Sequence, residues 1–151
     1  YQDLCELLVW EKDGLGLRRD TLPFEQVADD EVDLIEGILL DLEQEHREAH
    51  LRWEADEASC QAAWLLVATG QVDRFEAAAG RIGSDHWQPI VAMAETALEK
   101  AGKDATARVF AAANRPGMHR DYLAEQSHRL TGRRLRHLHV LEAEEGTDHG
   151  R

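Results

Sequence analysis

Two Glu-x-x-His motifs stand far apart in this 151-residue chain, one at Glu43 and His46 and the other at Glu125 and His128. On two facing helices, such pairs provide carboxylate and imidazole ligands for a di-metal centre, provided that two further helices each add a glutamate. The candidates for the added ligands are Glu6 or Glu11 and Glu76 or Glu95. With 17 Glu and eight His in the chain, random placement gives about one such motif, so the pattern alone does not establish a metal site.

A helical projection separates the two motifs. At about 100° per residue, His46 falls within the apolar side of its segment and Glu43 falls at the edge of that side. Glu125 and His128 instead fall opposite the apolar side of their segment. A di-metal centre needs both pairs to face one core, so the projection disfavours it without excluding metal binding by the first motif.

A smaller metal site remains as an alternative, formed by Glu43, His46 and His50 on one face of a single helix. Two histidines at positions i and i+4 can bind zinc or another divalent ion. The simpler interpretation places His46 in a helix–helix seam, where a buried imidazole needs a hydrogen-bond partner, with Glu6 or Glu11 of the first helix as candidates. His50 would then be solvated.

Other catalytic chemistry finds little support, and we expect no catalytic residues and no organic cofactor. The three serines, Ser59, Ser84 and Ser127, lie outside any Gly-x-Ser-x-Gly motif, and no glycine-rich phosphate loop is present. Cys5 and Cys60 fit no metal or redox spacing. Because they also indicate no disulfide framework, a reducing compartment and a cytoplasmic location are the expectation.

The sequence predicts no contact with membranes. No apolar run approaches the roughly 20 residues that a transmembrane helix needs, and no charged-then-apolar leader precedes the first predicted helix. The first residue is Tyr1 rather than Met, which is compatible with a piece of a longer protein. In that case the function would belong to a larger assembly.

The charge of the chain is unevenly distributed. Residues 1–60 hold 18 Asp and Glu against five Lys and Arg, whereas 61–151 hold 12 of each. An acidic first part argues against direct binding to nucleic-acid phosphates and favours a protein partner with a basic surface. Because 108–139 carries seven arginines, a second copy of the chain could also be that partner, which would give a homo-oligomer.

The composition indicates an all-α fold. Ala, Leu, Glu and Arg, which are good helix formers, dominate, proline occurs three times, and the period-two alternation of half-buried strands is absent. A short amphipathic helix is predicted before Gly14, and Pro23 is expected to open a short helical turn. A longer acidic amphipathic helix then follows, from Asp29 or Asp30 to about Ala58.

This long helix is predicted from an apolar seam with alternating spacings of three and four residues, typical of a helix packed against another helix. The seam residues are Val32, Ile35, Leu39, Leu42, His46, Ala49 and Trp53. Shorter helices are predicted near 57–69, 72–82, 86–101, 104–113, 118–131 and 133–143. Gly70, Gly102 and Gly132 are expected to end three of them, as C-terminal glycines do.

The glycines recur at intervals near 30 residues, which indicates helical hairpins stacked side by side. Over roughly 57–132 the chain resembles the tetratricopeptide-like class of helical-hairpin repeats, with Gly102 as the turn residue, Ala107 and Phe110 in the second helix, and Pro116 as the closing proline. It lacks the Trp-x-x-Leu-Gly-x-x-Tyr opening, and its period is shorter than about 34 residues. A helical bundle with two similar turns is the alternative.

We therefore predict a single helical domain, an α-solenoid-like stack of antiparallel hairpins. Its parts are acidic N-terminal helices at 1–58, hairpin repeats at 59–143 and a frayed tail at 144–151. Arg and aromatic residues are frequent anchors of protein interfaces, and a cluster of them in the second half offers candidates for partner binding. These are Trp87, Arg115, His119, Arg120 and Tyr122.

Three function classes follow from these patterns. The leading hypothesis is a protein–protein interaction or scaffold module rather than an enzyme, with binding through a helix groove or the charged faces. A carboxylate–histidine metal-binding bundle is the enzyme alternative. The third class is an acidic mimic of nucleic acid, which requires the carboxylates of 25–57 to form a continuous stripe on an open face.

Overall fold

The computed structural model describes residues 2–10 and 21–132. For residues 7–10 it describes the backbone only. Across these residues the chain is all-α, with seven helices and no strand, as predicted. The helices are α1 (Gln2–Trp10), α2 (Val32–Glu48), α3 (Arg52–Ala68), α4 (Phe75–Ile82), α5 (Trp87–Ala101), α6 (Lys103–Ala113) and α7 (Arg120–Thr131). No described helix is both long enough and apolar enough to cross a bilayer.

The prediction of one helix from Asp29 or Asp30 to Ala58 is wrong, because the chain reverses after Glu48. His50 takes a left-handed conformation with φ of 62°. The N–H of Leu51 donates to the carbonyl of His46 at 2.8 Å, and the N–H of His50 donates to that of Arg47 at 3.1 Å. This pair of bonds is the Schellman motif that ends many helices, and α3 then packs back along α2.

The apolar seam holds only as far as the reversal. Val32, Ile35, Leu39 and Leu42 are buried in the core, whereas His46 is half-buried and Ala49 and Trp53 are exposed. The segment around Asp29 and Asp30 forms a short 3₁₀ turn, Asp29–Glu31, and α2 begins at Val32. The predicted boundary between 58 and 59 therefore lies within α3.

The later helices agree with their predicted positions to within a few residues. Gly70, Gly102 and Gly132 follow helix ends with φ between 67° and 98°, a region that glycine adopts without steric cost. A 3₁₀ turn forms at Leu22–Phe24 and includes Pro23, as expected. The predicted first-helix side chains Leu7, Leu8 and Trp10, the helix at 133–143 and the tail at 144–151 lie outside the described residues.

The helices pack around one core. α1 packs on α2 and α3, α3 packs on α5, and α4 packs on α6, while α7 covers α5 and α6. Small buried residues on α4 and α6, including Ala78 and Ala113, allow their close approach, and Phe24, Phe75 and Phe110 fill the core. The starts of α3, α5 and α7 lie at one end of the molecule, because Trp53, His86 and Met118, which stand at or just before these starts, line the same cleft.

Candidate protein-interaction surfaces

Apolar and aromatic side chains meet at the end where α3, α5 and α7 begin. We call this the Trp53–Met118 surface, formed by Trp53, His86, Trp87, Met118 and Tyr122. Trp53, His86 and Met118 line a shallow cleft of about 390 Å³. The Trp87 and Tyr122 rings meet edge-to-face, with centroids 5.1 Å apart and an interplanar angle of 71°, a favourable geometry for aromatic pairs. Three segments distant in sequence thus contribute to one surface.

These side chains are unusually open to solvent for their size and polarity. Met118 is 84% exposed, Trp53 is 42% exposed and Tyr122 is 41% exposed. Single exposed apolar residues are ordinary on protein surfaces, but Trp53 and Met118 line the same cleft, and exposed apolar side chains grouped in this way indicate an interaction site. Trp and Tyr supply large contact areas at low conformational cost, which makes them common anchors of protein interfaces.

The surface is held in place by Ser84, which precedes α5 and is buried. Its hydroxyl donates to the Ala113 carbonyl at 2.5 Å and accepts from the backbone N–H of Arg115 at 3.3 Å. The Ser84 carbonyl in turn accepts the backbone N–H of His119 at 2.9 Å. One buried serine therefore fastens the start of α5 to the loop that carries Met118.

Further contacts tighten the same loop. The backbone N–H of Met118 donates to the Asp85 carboxylate at 3.4 Å. Gly83 has φ of 69°, and the guanidinium of Arg115 lies so close that a Cβ at Gly83 would overlap with it. Arg115 also donates to the Arg81 carbonyl at 3.3 Å. Although Arg115 is exposed, its guanidinium is engaged in holding the loop.

The other candidates for partner binding differ in their accessibility. Tyr122 is exposed, while Trp87 and His119 are half-buried, and Trp87 packs against the core as expected of an anchor between helices. Arg120 is only 7% exposed, and its Nε donates to Asn114 Oδ1 at 3.0 Å. Within this group, Tyr122 therefore offers a partner the largest open side chain.

Charged groups border the surface on the side of α2. Nε2 of His86 lies 3.6 Å from Oδ2 of Asp56, which is also 3.5 Å, through its other oxygen, from Arg47. Arg47 donates to Glu43 at 2.8 Å, and this hydrogen bond is the main reason why the pKa of Arg47 is raised above its usual value. The rim is thus a network of charged and polar side chains that connects α2, α3 and the start of α5.

A second feature, which we call the acidic groove, lies between α1 and the α2–α3 turn. Its volume is about 550 Å³. Its polar lining combines four carboxylates with one imidazole, and its apolar lining comes from two leucines. The residues are Asp3, Glu6, Glu45, Glu54, His46, Leu42 and Leu51. Glu6 and His46 therefore share one groove, as the interpretation of His46 as a seam histidine anticipates.

The candidate metal ligands are not gathered at one point. Glu43 is paired with Arg47 and lines a different cleft, with Arg81, from the acidic groove that His46 lines. His50 is exposed in the turn. Glu125 and His128 are exposed on α7, which packs mainly against α5 and α6. Across the residues that the structure describes, no group of three or more His, Cys, Asp or Glu side chains could hold a metal ion.

The carboxylates of α2 are partly neutralised by arginines from elsewhere in the chain. Arg74 lies 2.6 Å from Asp33 and 2.9 Å from Glu36, and Arg81 lies 3.8 Å from Glu36. These carboxylates thus connect α2 to the turn and helix that follow α3. Such pairing interrupts the row of free negative charges that the nucleic-acid-mimic hypothesis requires.

Sequence reasoning missed Trp53 and Met118 as candidates for partner binding. Trp53 fits the heptad spacing of a continuous helix, which places it in the core, and Met118 stands in a loop without a recognisable motif. A Gly or Pro at the reversal would have indicated that the helix ends before Trp53. The sequence there, AHLRWE, contains neither residue.

Comparisons of the chain with protein-family models, with curated proteins and with solved structures found no match. The functional inference therefore starts from the geometry of the described residues.

Proposed function

We propose that this chain is a protein-interaction module that binds a partner through the Trp53–Met118 surface. The observation that carries the proposal is that two open apolar side chains, those of Trp53 and Met118, line one braced cleft. A preformed surface binds at lower entropic cost than one that must be ordered on binding. The Ser84 hydrogen bonds supply that preorganisation.

The partner is proposed to present an apolar side chain beside a basic group. The cleft accepts an apolar anchor against Trp53 and Met118, and its charged lining consists of two carboxylates, Asp56 and Asp85, and one guanidinium, that of Arg52. Complementary charge at the rim speeds association and selects against acidic partners. The net charge of −13 acts in the same direction over a longer range.

The hairpin arrangement fits this role. Stacked helical hairpins expose the ends and faces of their helices as extended binding surfaces, and the pairing of α3 with α5 and of α4 with α6 is compatible with such a stack. The resemblance to tetratricopeptide-like repeats stays a prediction. The metal-bundle and nucleic-acid-mimic hypotheses also stay predictions: the described residues include no cluster of metal ligands, and two carboxylates of α2, Asp33 and Glu36, are paired with Arg74.

The test compares three versions of the full chain as bait in isotope-coded affinity purification from the native host. These are the unaltered protein, a Trp53→Ser/Met118→Ser variant and a Leu34→Ser control. Leu34 is a suitable control because it is 56% exposed on α2 and lies outside the Trp53–Met118 surface. A genuine partner is depleted by the double substitution and retained by the control.

The recovered partner is then purified and titrated by calorimetry. Loss of a tryptophan anchor costs about 2 kcal/mol or more, which corresponds to roughly thirtyfold weaker binding. Equal recovery of every protein by all three baits, or unchanged affinity of the purified partner for the double variant, would refute this assignment of the surface.

A further inference from the structure

We propose that the acidic groove binds residues 133–141 of a second copy of the chain, joining copies head to tail. This interaction is separate from the partner binding proposed above, because it uses the groove between α1 and the α2–α3 turn rather than the Trp53–Met118 surface. Three observations identify this segment as the occupant of the groove: its charge, its apolar pattern and the length of the chain.

The groove and the segment have opposite charge. Asp3, Glu6 and Glu45 are exposed in the groove lining. The segment 133–141 reads RRLRHLHVL, with three arginines, two histidines and no carboxylate. It belongs to the run 126–141, which holds four arginines and no carboxylate in a chain whose net charge is −13, so its charge is complementary to that of the groove.

The apolar pattern of the segment also fits the groove. Leu42 and Leu51 contribute the apolar lining, and Leu51 is 44% exposed there. In the helix predicted over 133–143, Leu135, Leu138 and Leu141 would recur every three residues and share one side. At about 100° per residue, Arg134 falls on the same side of that helix, so docking it against the leucines of the groove would bring Arg134 beside the rim carboxylates, as in helix-in-groove recognition.

Chain length indicates that the segment comes from another copy. The groove lies at the end where α3 begins, whereas α7 begins at that end and runs away from it. Its 12 residues place Gly132 about 18 Å along the stack. α5 lies between α3 and α7, and two interhelical spacings add about 16–20 Å sideways. The resulting distance from Gly132 to the groove of the same copy is about 25 Å. Nine fully extended residues span about 30 Å. Most of the segment 133–141 would therefore be used to reach that groove, and little of it would be left to bind there.

Head-to-tail contacts of this kind are heterologous, so every open assembly keeps one unused groove and one unused segment, and it grows as a filament unless it closes into a ring. The assembly therefore depends on concentration. Because its contacts are largely ionic at an exposed rim, it also weakens as salt shortens the range of electrostatic attraction, to about 3 Å near 1 M.

The test uses a groove variant, Asp3→Arg/Glu45→Arg, and a segment variant, Arg133→Glu/Arg134→Glu/Arg136→Glu, in the full chain. Sedimentation velocity in low salt is expected to show self-association of the unaltered chain that weakens at least about tenfold in each variant. An equimolar mixture of the two variants has one intact groove and one intact segment. It is therefore expected to form a capped dimer, with twice the chain mass of 17.0 kDa, and no larger species.

A charge-matched control is Asp30→Arg/Asp73→Arg, since both residues are exposed and lie outside the groove. It should assemble like the unaltered chain, and circular dichroism should show equal helicity for every variant. A monomeric unaltered chain at low salt, a segment variant that assembles normally, or a mixture that stays monomeric would each overturn the proposal. If instead only an unrelated basic peptide binds the groove, the occupant assigned here is wrong.

Discussion

Replacing His50 with glycine should stabilise the protein, although His50 lies where the sequence predicts the interior of a helix. His50 is exposed and has φ of 62°, and this left-handed conformation costs an L-residue about 1–2 kcal/mol. Glycine avoids that cost but loses about 0.5–1 kcal/mol of backbone entropy on folding. The free energy of unfolding should therefore rise by about 0.5–1 kcal/mol.

For a chain of this size, such a gain raises Tm by about 1–4 °C, which thermal denaturation followed by circular dichroism can measure. The gain in the free energy of unfolding comes from the backbone conformation alone. The side chain is open to solvent, and the hydrogen bonds from the N–H groups of His50 and Leu51 involve only main-chain atoms, which glycine retains.

A second substitution, His50→Ala, distinguishes a reversal at this position from a continuous helix. In a left-handed turn, alanine is no better than histidine, which tolerates this region more often than most residues, so stability should stay equal or fall slightly. In a continuous helix, alanine would add about 0.5 kcal/mol, and glycine would lose a few tenths. A stabilising His50→Ala together with a destabilising His50→Gly would refute the reversal at this position.

Gly70 provides the matched control, because it occupies the equivalent position of a second Schellman motif with φ of 67°. Gly70→Ala should lower the free energy of unfolding by about 1 kcal/mol, since alanine must adopt the left-handed region. The new Cβ would lie 3.4 Å from the flexible Lys100 side chain, so steric conflict adds little. Opposite signs for the two substitutions would show that the same conformational cost acts at both turns.

Three further outcomes follow from the buried contacts. Thr106→Val should lower Tm by a few degrees in a thermal melt, because the buried hydroxyl, 3.0 Å from the Ala94 carbonyl, contributes about 1 kcal/mol. Gly83→Ala should destabilise the chain in urea, and less so in an Arg115→Ala background, since the guanidinium of Arg115 occupies the space of the new Cβ; equal losses in both backgrounds would contradict the packing. Cys5 should resist iodoacetamide until denaturant is added, because burial raises its thiol pKa and leaves less thiolate at neutral pH; mass-spectrometric peptide mapping of labelled thiols measures this.

Most helices between 57 and 131 were predictable because the residues at their ends determine where they stop. Gly102 needs no neighbour to adopt a φ of 98°, and the amphipathic pattern of α2 correctly places Ile35 and Leu39 in the core. The candidate site was predictable only in part. Tyr122 and Trp87 are identifiable by residue type, but their edge-to-face contact depends on tertiary packing, and the position of the loop that carries Met118 depends on hydrogen bonds between residues about 30 positions apart.

The sequence by itself determined that this chain is helical, where its glycine-terminated helices end, and that its negative charge lies in the first 60 residues. These properties depend on backbone propensity and periodicity within a few residues. Only the tertiary structure decided that the chain reverses at His50 and that Trp53 meets Met118. Packing α3 along α2 buries apolar surface that outweighs the local cost of a left-handed histidine, about 1–2 kcal/mol, and no pattern within one helix records that balance.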